Sequence, residues 1–272
     1  MISLAHIPKP PLSEFIHAFW LIEGCVLPHG FERVMPNGHM GLVINLYEDR
    51  TRVYDPKSLR CLQSWRGALV CGAETKAAIV DASELRDTMG VHFKAGGAFP
   101  FFNLPAGELR DVNVGLEELW GDDGCNLREK LLEAPTPKRK FEILEEVLLR
   151  HARKPLEKHR AVQFAIGQFH KAPERRISGV VEETGLSGRR FTEAFTDEVG
   201  LTPKVYCRLQ RFQRALAKSF ERPTVDWLEI ALDCGYYDQA HFIHDFTSFS
   251  GLTPSAYLLQ RKQPGNHVPI VD

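Results

Sequence analysis

Two stretches of this 272-residue sequence, FTEAFTDEVGLTPKVY at residues 191–206 and FIHDFTSFSGLTPSAY at residues 242–257, follow one pattern. The offset is 51 residues, and 8 of the 16 aligned positions are identical. Each copy has two phenylalanines four residues apart, which give a helix one apolar face. A Gly-Leu-Thr-Pro step then ends that helix, caps the next one and opens it with proline. The pattern predicts a helix-turn-helix that occurs twice.

Residues 156–262 are predicted to form an all-α domain, in which turn residues around the two copies separate one helix from the next. Gly185, Gly200 and Gly235 are suited to ending helices, and Ser187 and Asp238 are suited to capping the helices that follow. Helices are predicted near residues 157–170, 177–184, 189–199, 203–219, 225–233 and 239–250, with a last short helix after Thr253.

The first 125 residues have a different character, because short apolar runs alternate with Pro, Gly, Asn and Asp. This spacing predicts a small β-rich domain, either a sandwich or a barrel. Strands are predicted at residues 19–22, 41–47, 68–71 and 89–93, and a short helix at 96–102. Residues 126–155 have apolar residues at helical spacing and predict a helical connector, which ends near the basic segment 151–158. Residues 263–272 are predicted to form a flexible tail, and the chain as a whole is an α+β multidomain protein.

Composition narrows the function classes without selecting one. The chain has 34 Lys and Arg against 35 Asp and Glu, and residues 151–272 carry 17 against 14. This excess is smaller than nucleic-acid-binding domains usually have, so the DNA-binding prediction depends on the motif. No run is apolar enough to cross a membrane, and the N-terminus does not resemble a secretion signal. The six cysteines have no C-x-x-C spacing, which favours the cytoplasm.

The second helix of each helix-turn-helix is expected to enter the major groove of double-stranded DNA, with its N-terminal residues at the base edges. The repeated phenylalanines should be buried, which leaves the opposite face of each helix to DNA. Predicted base contacts are Arg189, Arg190, Thr192 and Glu193 in the first helix and Gln239, His241 and His244 in the second. Asp245 is expected on the same exposed face of the second helix. Predicted phosphate contacts are Ser187, Lys204, Arg208, Arg211 and Ser255, with Arg214 as a further candidate.

The helix predicted at residues 203–219 should hold the two units apart as a rigid spacer. Seventeen residues span roughly 25 Å. This spacer would set the second helices of the two units, the reading helices, about one DNA turn, roughly 34 Å, apart. The second reading helix has no Lys or Arg between residues 238 and 251. The first unit is therefore expected to contribute most of the affinity for DNA, while the second mainly refines the register of the protein on the DNA.

The repeated GLS, F-x-x-x-F, G-x-T-P and Tyr pattern, with IALDCGY at residues 230–236 between the copies, strongly resembles the AraC/XylS family of transcription regulators. The segment DQAHFIHDFTSFSGLTPSAY at residues 238–257 is close to the signature of that family. The resemblance covers roughly residues 156–260. It implies that Arg189, Thr192 and Glu193 occupy base-facing positions in the first unit, and that Gln239, His241 and His244 occupy those in the second. The sequence departs from the family at Thr196 and Thr247, where members often have Lys or Arg.

The first 125 residues resemble, more weakly, the N-terminal domain of uncharacterised members of the family. The cues are VMPNG at residues 34–38, Gly72 with Glu74 and Thr75, and HFKAGGAFPFFNLPAGEL at residues 92–109. In the wider family such domains are cupin-like and bind an effector or dimerise. The resemblance thus implies a sequence-specific transcription factor, not an enzyme. The resemblance also allows three further partners: a small-molecule effector, RNA polymerase and a second copy of the chain.

Two other functions are compatible with parts of this sequence. A DNA-associated enzyme, such as an alkylated-DNA repair protein with an AraC-type segment, would need a reactive cysteine or a four-cysteine zinc cluster, and no cysteine lies in either context. An interaction protein with a degenerate DNA-binding head is the other alternative. His29, His39 and His92 lack the spacing of a cupin metal site, so neither a metal nor a cofactor is predicted. Nothing in the sequence singles out catalytic or effector-binding residues.

Overall fold

The chain folds into a β-sandwich followed by a helical domain in the computed structural model, which describes residues 1–102, 104–152, 156–221, 224–262 and 264–270. Within that part the strands are β1 (Ile2–His6), β2 (Ile16–Glu23), β3 (Phe31–Val34), β4 (Gly41–Asn45), β5 (Arg50–Tyr54), β6 (Cys61–Arg66), β7 (Ala68–Cys71), β8 (Ala78–Asp81), β9 (Thr88–Phe93), β10 (Asn113–Gly115) and β11 (His267–Ile270). They form two antiparallel sheets, in the orders β1-β2-β9-β4-β7-β10 and β11-β3-β8-β5-β6. The β-rich prediction is confirmed, in its sandwich form and not as a closed barrel.

Side chains on the six-stranded sheet alternate between two environments, as the period of a strand requires. Phe19 on β2 and Phe93 on β9 are fully buried on the face that packs against helices. The ring of Phe19 stacks at 6.3 Å on Phe141, and that of Phe93 lies 5.9 Å from Phe102. Their neighbours Trp20 and His92 point to the other face, toward the five-stranded sheet. The domain therefore has three layers, with helices outside one sheet and a cavity between the two.

The outer layer consists of α1 (Leu116–Trp120), α2 (Asp122–Leu132) and α3 (Pro137–His151). Trp120 stacks at 4.4 Å on His151 and donates its indole N–H to the Phe101 carbonyl. The predicted connector helices are thus part of the N-terminal domain's packing. The predicted short helix at 96–102 is a 3-10 helix, Phe99–Phe101. Of the predicted boundary at 151–158, residues 153–155 lie outside the described residues.

The C-terminal domain is all-α, as the sequence predicts. Its helices are α4 (Arg160–Lys171), α5 (Ile177–Thr184), α6 (Gly188–Val199), α7 (Pro203–Lys218), α8 (Trp227–Asp233), α9 (Gln239–Ser250) and α10 (Pro254–Gln260). The side chains of Ser187, Thr202, Asp238 and Thr253 cap α6, α7, α9 and α10 by accepting backbone N–H bonds. The helix predicted at residues 225–233 begins at Trp227 because Asp226 caps it. Residues 222 and 223, just before this segment, lie outside the described residues.

The residues that the two copies share form two equivalent buried clusters. Phe191, Phe195, Phe242 and Phe246 are all fully buried. Each copy's tyrosine closes its cluster: the ring of Tyr206 lies 5.6 Å from Phe195, and that of Tyr257 lies 5.4 Å from Phe246. The repeated pattern therefore encodes a hydrophobic core, and we call α6 and α9 the reading helices and α7 the linker helix.

A strand forms within the segment predicted to be a flexible tail. Residues 263, 271 and 272 lie outside the described residues, but His267–Ile270 pairs as β11 with all four residues of β3. Val268 is only 1% exposed, so its burial anchors the strand. The sequence does not predict this strand because Pro269 interrupts a run of only four residues, although proline is tolerated in an edge strand such as this one.

Substituting Val268 with alanine should lower the free energy of unfolding by about 1–3 kcal/mol, because a buried side chain of β11 loses its contacts and leaves a small void. The measurement is urea unfolding followed by circular dichroism. Val26, which is 82% exposed, offers the matched Val26→Ala control and should change stability by less than about 0.5 kcal/mol. Equal effects of the two substitutions would show that the C-terminal strand contributes nothing to the fold.

Candidate DNA-binding surface and ligand cavity

The first reading helix presents the predicted base-contacting residues together on an exposed surface. Arg189, Arg190, Thr192 and Glu193 are all exposed. The Arg189 Nε donates to Glu193 Oε1 at 2.8 Å, and these side chains are 88% and 57% exposed. Ser187, predicted as a phosphate contact, accepts the backbone N–H of Arg190 as the helix cap. The arrangement leaves both arginines free to reorient, since an exposed ion pair of this kind is weak.

The second reading helix is less open. Gln239 and His244 are exposed, whereas His241 is half-buried with its ring 5.2 Å from that of Tyr236. Asp245 was expected on the exposed face and is instead 1% exposed. That expectation was wrong because the linker helix crosses this side of α9 and covers the carboxylate.

Arg208 of the linker helix is the partner that covers Asp245. Its Nη2 lies 2.7 Å from Asp245 Oδ1, and its Nε lies 3.2 Å from both carboxylate oxygens. The hydrogen bonds to Asp245 raise the pKa of Arg208, and the guanidinium also lies 5.3 Å from the ring centre of Phe249. Nδ1 of His244 lies 3.6 Å from the same carboxylate. Arg208, predicted as a phosphate contact, is therefore engaged in fixing α9 against α7.

Two other arginines of the linker helix also bond to the protein. Arg211 donates to the Gly235 carbonyl at 3.2 Å and lies over the Tyr236 ring. Arg214 donates to the carbonyls of His170 and Lys171, at the C-terminal end of α4. Lys204 and Ser255, by contrast, are exposed. The phosphate-contact prediction thus has its most accessible candidates at the start of α7 and of α10.

A basic cleft of about 650 Å³ lies between the two helix-turn-helix units. Five of its lining residues are Lys or Arg and two are acidic: Arg175, Arg176, Lys204, Arg208 and Arg211, with Glu174 and Asp245. Arg175 and Arg176 precede α5 and were not among the predicted sites. Their only sequence signal is an Arg-Arg pair next to a helix start, which fits a cationic surface for phosphate.

Breaking the pair between Arg208 and Asp245 should destabilise the domain. Asp245→Ala removes the buried carboxylate and leaves a half-buried guanidinium without its partner, so we expect a loss of about 2–4 kcal/mol in urea unfolding. Glu193→Ala breaks an exposed pair that likewise joins a guanidinium to a carboxylate, and it should lower the free energy of unfolding by less than about 0.5 kcal/mol. A loss no larger for Asp245→Ala than for Glu193→Ala would contradict the role of the pair in holding α9.

A cavity of about 560 Å³ lies between the two sheets of the N-terminal domain. Its walls include Trp20, Val43 and His92 from the six-stranded sheet and Val34 and Val80 from the five-stranded sheet. Asn266 and His267, at the start of β11, also line it. A volume of this size suits a small organic molecule. The sequence did not reveal it because its lining comes from distant segments.

Most charged groups in the cavity wall are paired. Arg52 donates to Glu84 at 2.7 Å and to Glu48 at 2.9 Å. His267 Nδ1 lies 2.5 Å from Glu32 Oε2, and this contact lowers the pKa of Glu32 against the opposing effect of burial.

Glu74 differs, because within the described residues no ion pair joins it to Lys or Arg. Burial raises its pKa to about 7, opposed by a hydrogen bond from the Asn113 side chain. Burial also lowers the pKa of His39 to about 4, with smaller contributions from His17 and His92. Within the described residues, no group of three His, Cys, Asp or Glu is placed to hold a metal ion.

Glu74 should make stability depend on pH. Its folded pKa lies above its unfolded value of 4.5, so the folded state binds the proton more tightly and loses stability as pH rises from 4.5 through about 7. Glu74→Gln removes this penalty and should raise the free energy of unfolding at pH 8 by about 1–3 kcal/mol. The gain should vanish at pH 4.5. Urea unfolding at both pH values checks this, with exposed Glu133→Gln as the control; a pH-independent effect would contradict it.

One segment belongs to the cavity wall and to the domain interface at the same time. Val34, Met35 and Asn37 line the cavity. The neighbouring Pro36 carbonyl accepts a hydrogen bond of 2.7 Å from the Gln213 side-chain amide, and Gly38 packs against Leu209. Residues 33–38, which we call the coupling segment, thus touch both the cavity and the linker helix.

The N-terminal domain also contacts the C-terminal end of each reading helix. At α9, the Ala77 N–H donates to the Phe249 carbonyl at 2.8 Å, and Arg33 donates to the Ser250 carbonyl at 3.2 Å. At α6, Gly107 packs against Thr196, and Gly200, which ends the helix, packs against Ala106. The N-terminal halves of both reading helices lie away from this interface.

Comparison with known proteins agrees with this division. Residues 4–115 match the family model described as a domain of unknown function (DUF6597), and residues 180–260 match a helix-turn-helix domain. No curated protein matches the chain. In the described part of the chain, none of the helices has both the length and the apolar content needed to cross a bilayer.

Several solved structures of ToxT from Vibrio cholerae have a similar arrangement. One has a TM-score of 0.46 at 10% identity and covers 86% of this chain and 95% of ToxT. A second, with (E)-4-(8-methylnaphthalen-1-yl)but-3-enoic acid bound, has a TM-score of 0.47 at 9% identity and covers 95% and 99%. A third, bound to an unsaturated fatty acid, has a TM-score of 0.44 at 9% identity and covers 94% and 95%. By its sequence matches and fold, the chain joins a domain of unknown function to an AraC-type helix-turn-helix DNA-binding domain.

Proposed function

We propose that this protein is a sequence-specific transcription regulator whose N-terminal cavity binds a small-molecule effector. The observation that carries the proposal is the way the domains dock. The N-terminal domain contacts the C-terminal ends of both reading helices, at Gly200 and at Ser250, and leaves their N-terminal halves exposed. Those halves are the parts that meet base edges when a helix-turn-helix binds DNA.

The two reading helices would recognise different bases. Arg189 or Arg190 suits the O6 and N7 acceptors of guanine, and Gln239 suits adenine. The basic cleft between the units would receive the phosphate backbone, with Arg176 and Lys204 as its exposed cations. Such contacts fix position without carrying sequence information, so binding should depend strongly on salt.

Effector binding would act on DNA through the coupling segment. A ligand changes an equilibrium only if it contacts two states differently. Residues 34, 35 and 37 face the cavity, while Arg33 bonds the end of α9 and Pro36 bonds the linker helix. A ligand that displaces this segment would therefore change how the reading helices are held relative to each other.

No observation favours the competing functions. A repair enzyme would need a thiolate, but burial raises the pKa of Cys207 to about 12 and of Cys234 to about 11. All six cysteines are free thiols. Contact with RNA polymerase, dimerisation and a cytoplasmic location stay predictions that follow from the family resemblance and composition.

Arg189→Ala should weaken binding to the preferred DNA sequence by about 1–3 kcal/mol and relax the preference at one base position. The preferred sequence is first selected from a random DNA library, and binding is then measured by fluorescence anisotropy on that sequence and on single-base variants. Lys204→Ala should instead weaken binding to all sequences alike and reduce the salt dependence by about one counterion.

Arg66→Ala is the matched control, because Arg66 is an exposed arginine on β6 of the N-terminal domain. It should leave affinity and base preference unchanged. A folded wild-type protein that selects no sequence would refute the proposed function. Uniform weakening by Arg189→Ala would refute only the assignment of that residue to a base.

A further inference from the structure

We infer that the cavity binds a protonated organic amine, with the Glu74 carboxylate as its counter-ion and Trp20 in the wall around its apolar body. This inference rests on the proposed function, because it names the chemical class of the effector. Three observations carry it: the pairing of the other charges in the wall, the shape and lining of the cavity, and the cost of charging its histidines.

Within the described residues, Glu74 is the acid of the wall that has no Lys or Arg as an ion-pair partner. Glu84 is bonded by both the backbone N–H and the guanidinium of Arg52. Glu74, in contrast, has the Asn113 side chain as its hydrogen-bond partner and Asp111 as a neighbouring charge of the same sign. An ammonium group would supply both the opposite charge and N–H donors, and a charge-assisted bond of this kind is stronger than a neutral one.

The remaining wall suits the apolar part of such a ligand. Trp20 stacks on His92 at 5.8 Å, which presents a flat aromatic surface on one sheet. Met35, Met40 and Leu69 add apolar surface. Aromatic faces also attract cations, so the same wall favours a protonated amine over an anion of equal size. The volume of about 560 Å³ accommodates a ring with a short side chain.

Within the described residues, an anionic ligand would find no unpaired Lys or Arg in the wall. Among the described residues, Arg52 is the only Lys or Arg in the wall, and it is already bonded to Glu84 and Glu48. An anion would therefore rely on histidine or on neutral donors such as the Trp20 indole N–H. Burial lowers the pKa of His39 to about 4, which disfavours its charged form at neutral pH. The Glu74 carboxylate, which no described Lys or Arg pairs, therefore favours a cation over an anion in this cavity.

The test compares three probes with the same ring: phenethylamine, 2-phenylethanol and phenylacetate. Isothermal titration of the full-length protein at pH 7.5 should give the amine an affinity at least about tenfold above those of the alcohol and the carboxylate. Glu74→Gln should bring the amine to within about twofold of the alcohol and leave the alcohol unchanged. Glu74→Asp keeps the charge and should keep the preference for the amine, and Glu133→Gln, an exposed control, should behave as wild type.

Equal affinity for amine and alcohol, tighter binding of phenylacetate, or no amine binding at millimolar concentration would overturn the inference. So would a preference for the amine that survives Glu74→Gln in a variant shown by circular dichroism to be folded. DNA selection, measured separately, distinguishes the two proposals. A protein that selects DNA but ignores amines keeps the proposed function and loses the ligand class, whereas one that binds amines and selects no DNA does the reverse.

Discussion

The contact between the N-terminal domain and the C-terminal ends of the two reading helices determines the arrangement of the whole molecule. A helix leaves its last carbonyls without partners, and here two of those of α9 accept bonds from Ala77 and Arg33. The positive charge of Arg33 also lies at the negative end of the helix dipole, which favours the contact. Because the interface takes the C-terminal ends, the N-terminal halves of both helices stay exposed, and the molecule is built to present them.

The interface and the cavity share the coupling segment, which makes their conformations interdependent. Gly38 shows how tight the fit is: its φ is +74°, and a Cβ there would lie 2.8 Å from Leu209 Cδ2. A side chain at this position would be strained by the backbone and would require the Leu209 side chain to shift. Close packing of this kind leaves the coupling segment little room to move unless the linker helix also moves. β11 adds a second connection, because it lines the cavity and follows α10 directly in the chain.

The parts of the fold that depend on local sequence could be predicted. The helices of the C-terminal domain follow from caps, glycines and apolar spacing, and the four repeated phenylalanines are buried as expected. In the N-terminal domain only the strands with continuous apolar runs, such as Ala68–Cys71, were found. β6, with the sequence CLQSWR, was missed because it is an edge strand with almost every side chain exposed, so it carries no burial pattern. The cavity could not be predicted, because Trp20, Glu74 and Asn266 come together only through sheet pairing across most of the chain.

Asp245 shows why the site was predicted only in part, and it also clarifies how the two units differ. A helical projection places it beside His241 and His244, but the projection contains no information about α7, which supplies Arg208 as a partner. In α6 the corresponding face keeps its charges in solvent, where Arg189 and Glu193 can exchange partners. In α9 the charge is buried and fixed to the linker helix, so that helix is held in one orientation relative to α7. The first unit therefore keeps its charged side chains exposed, whereas a buried ion pair fixes the second reading helix to the linker helix.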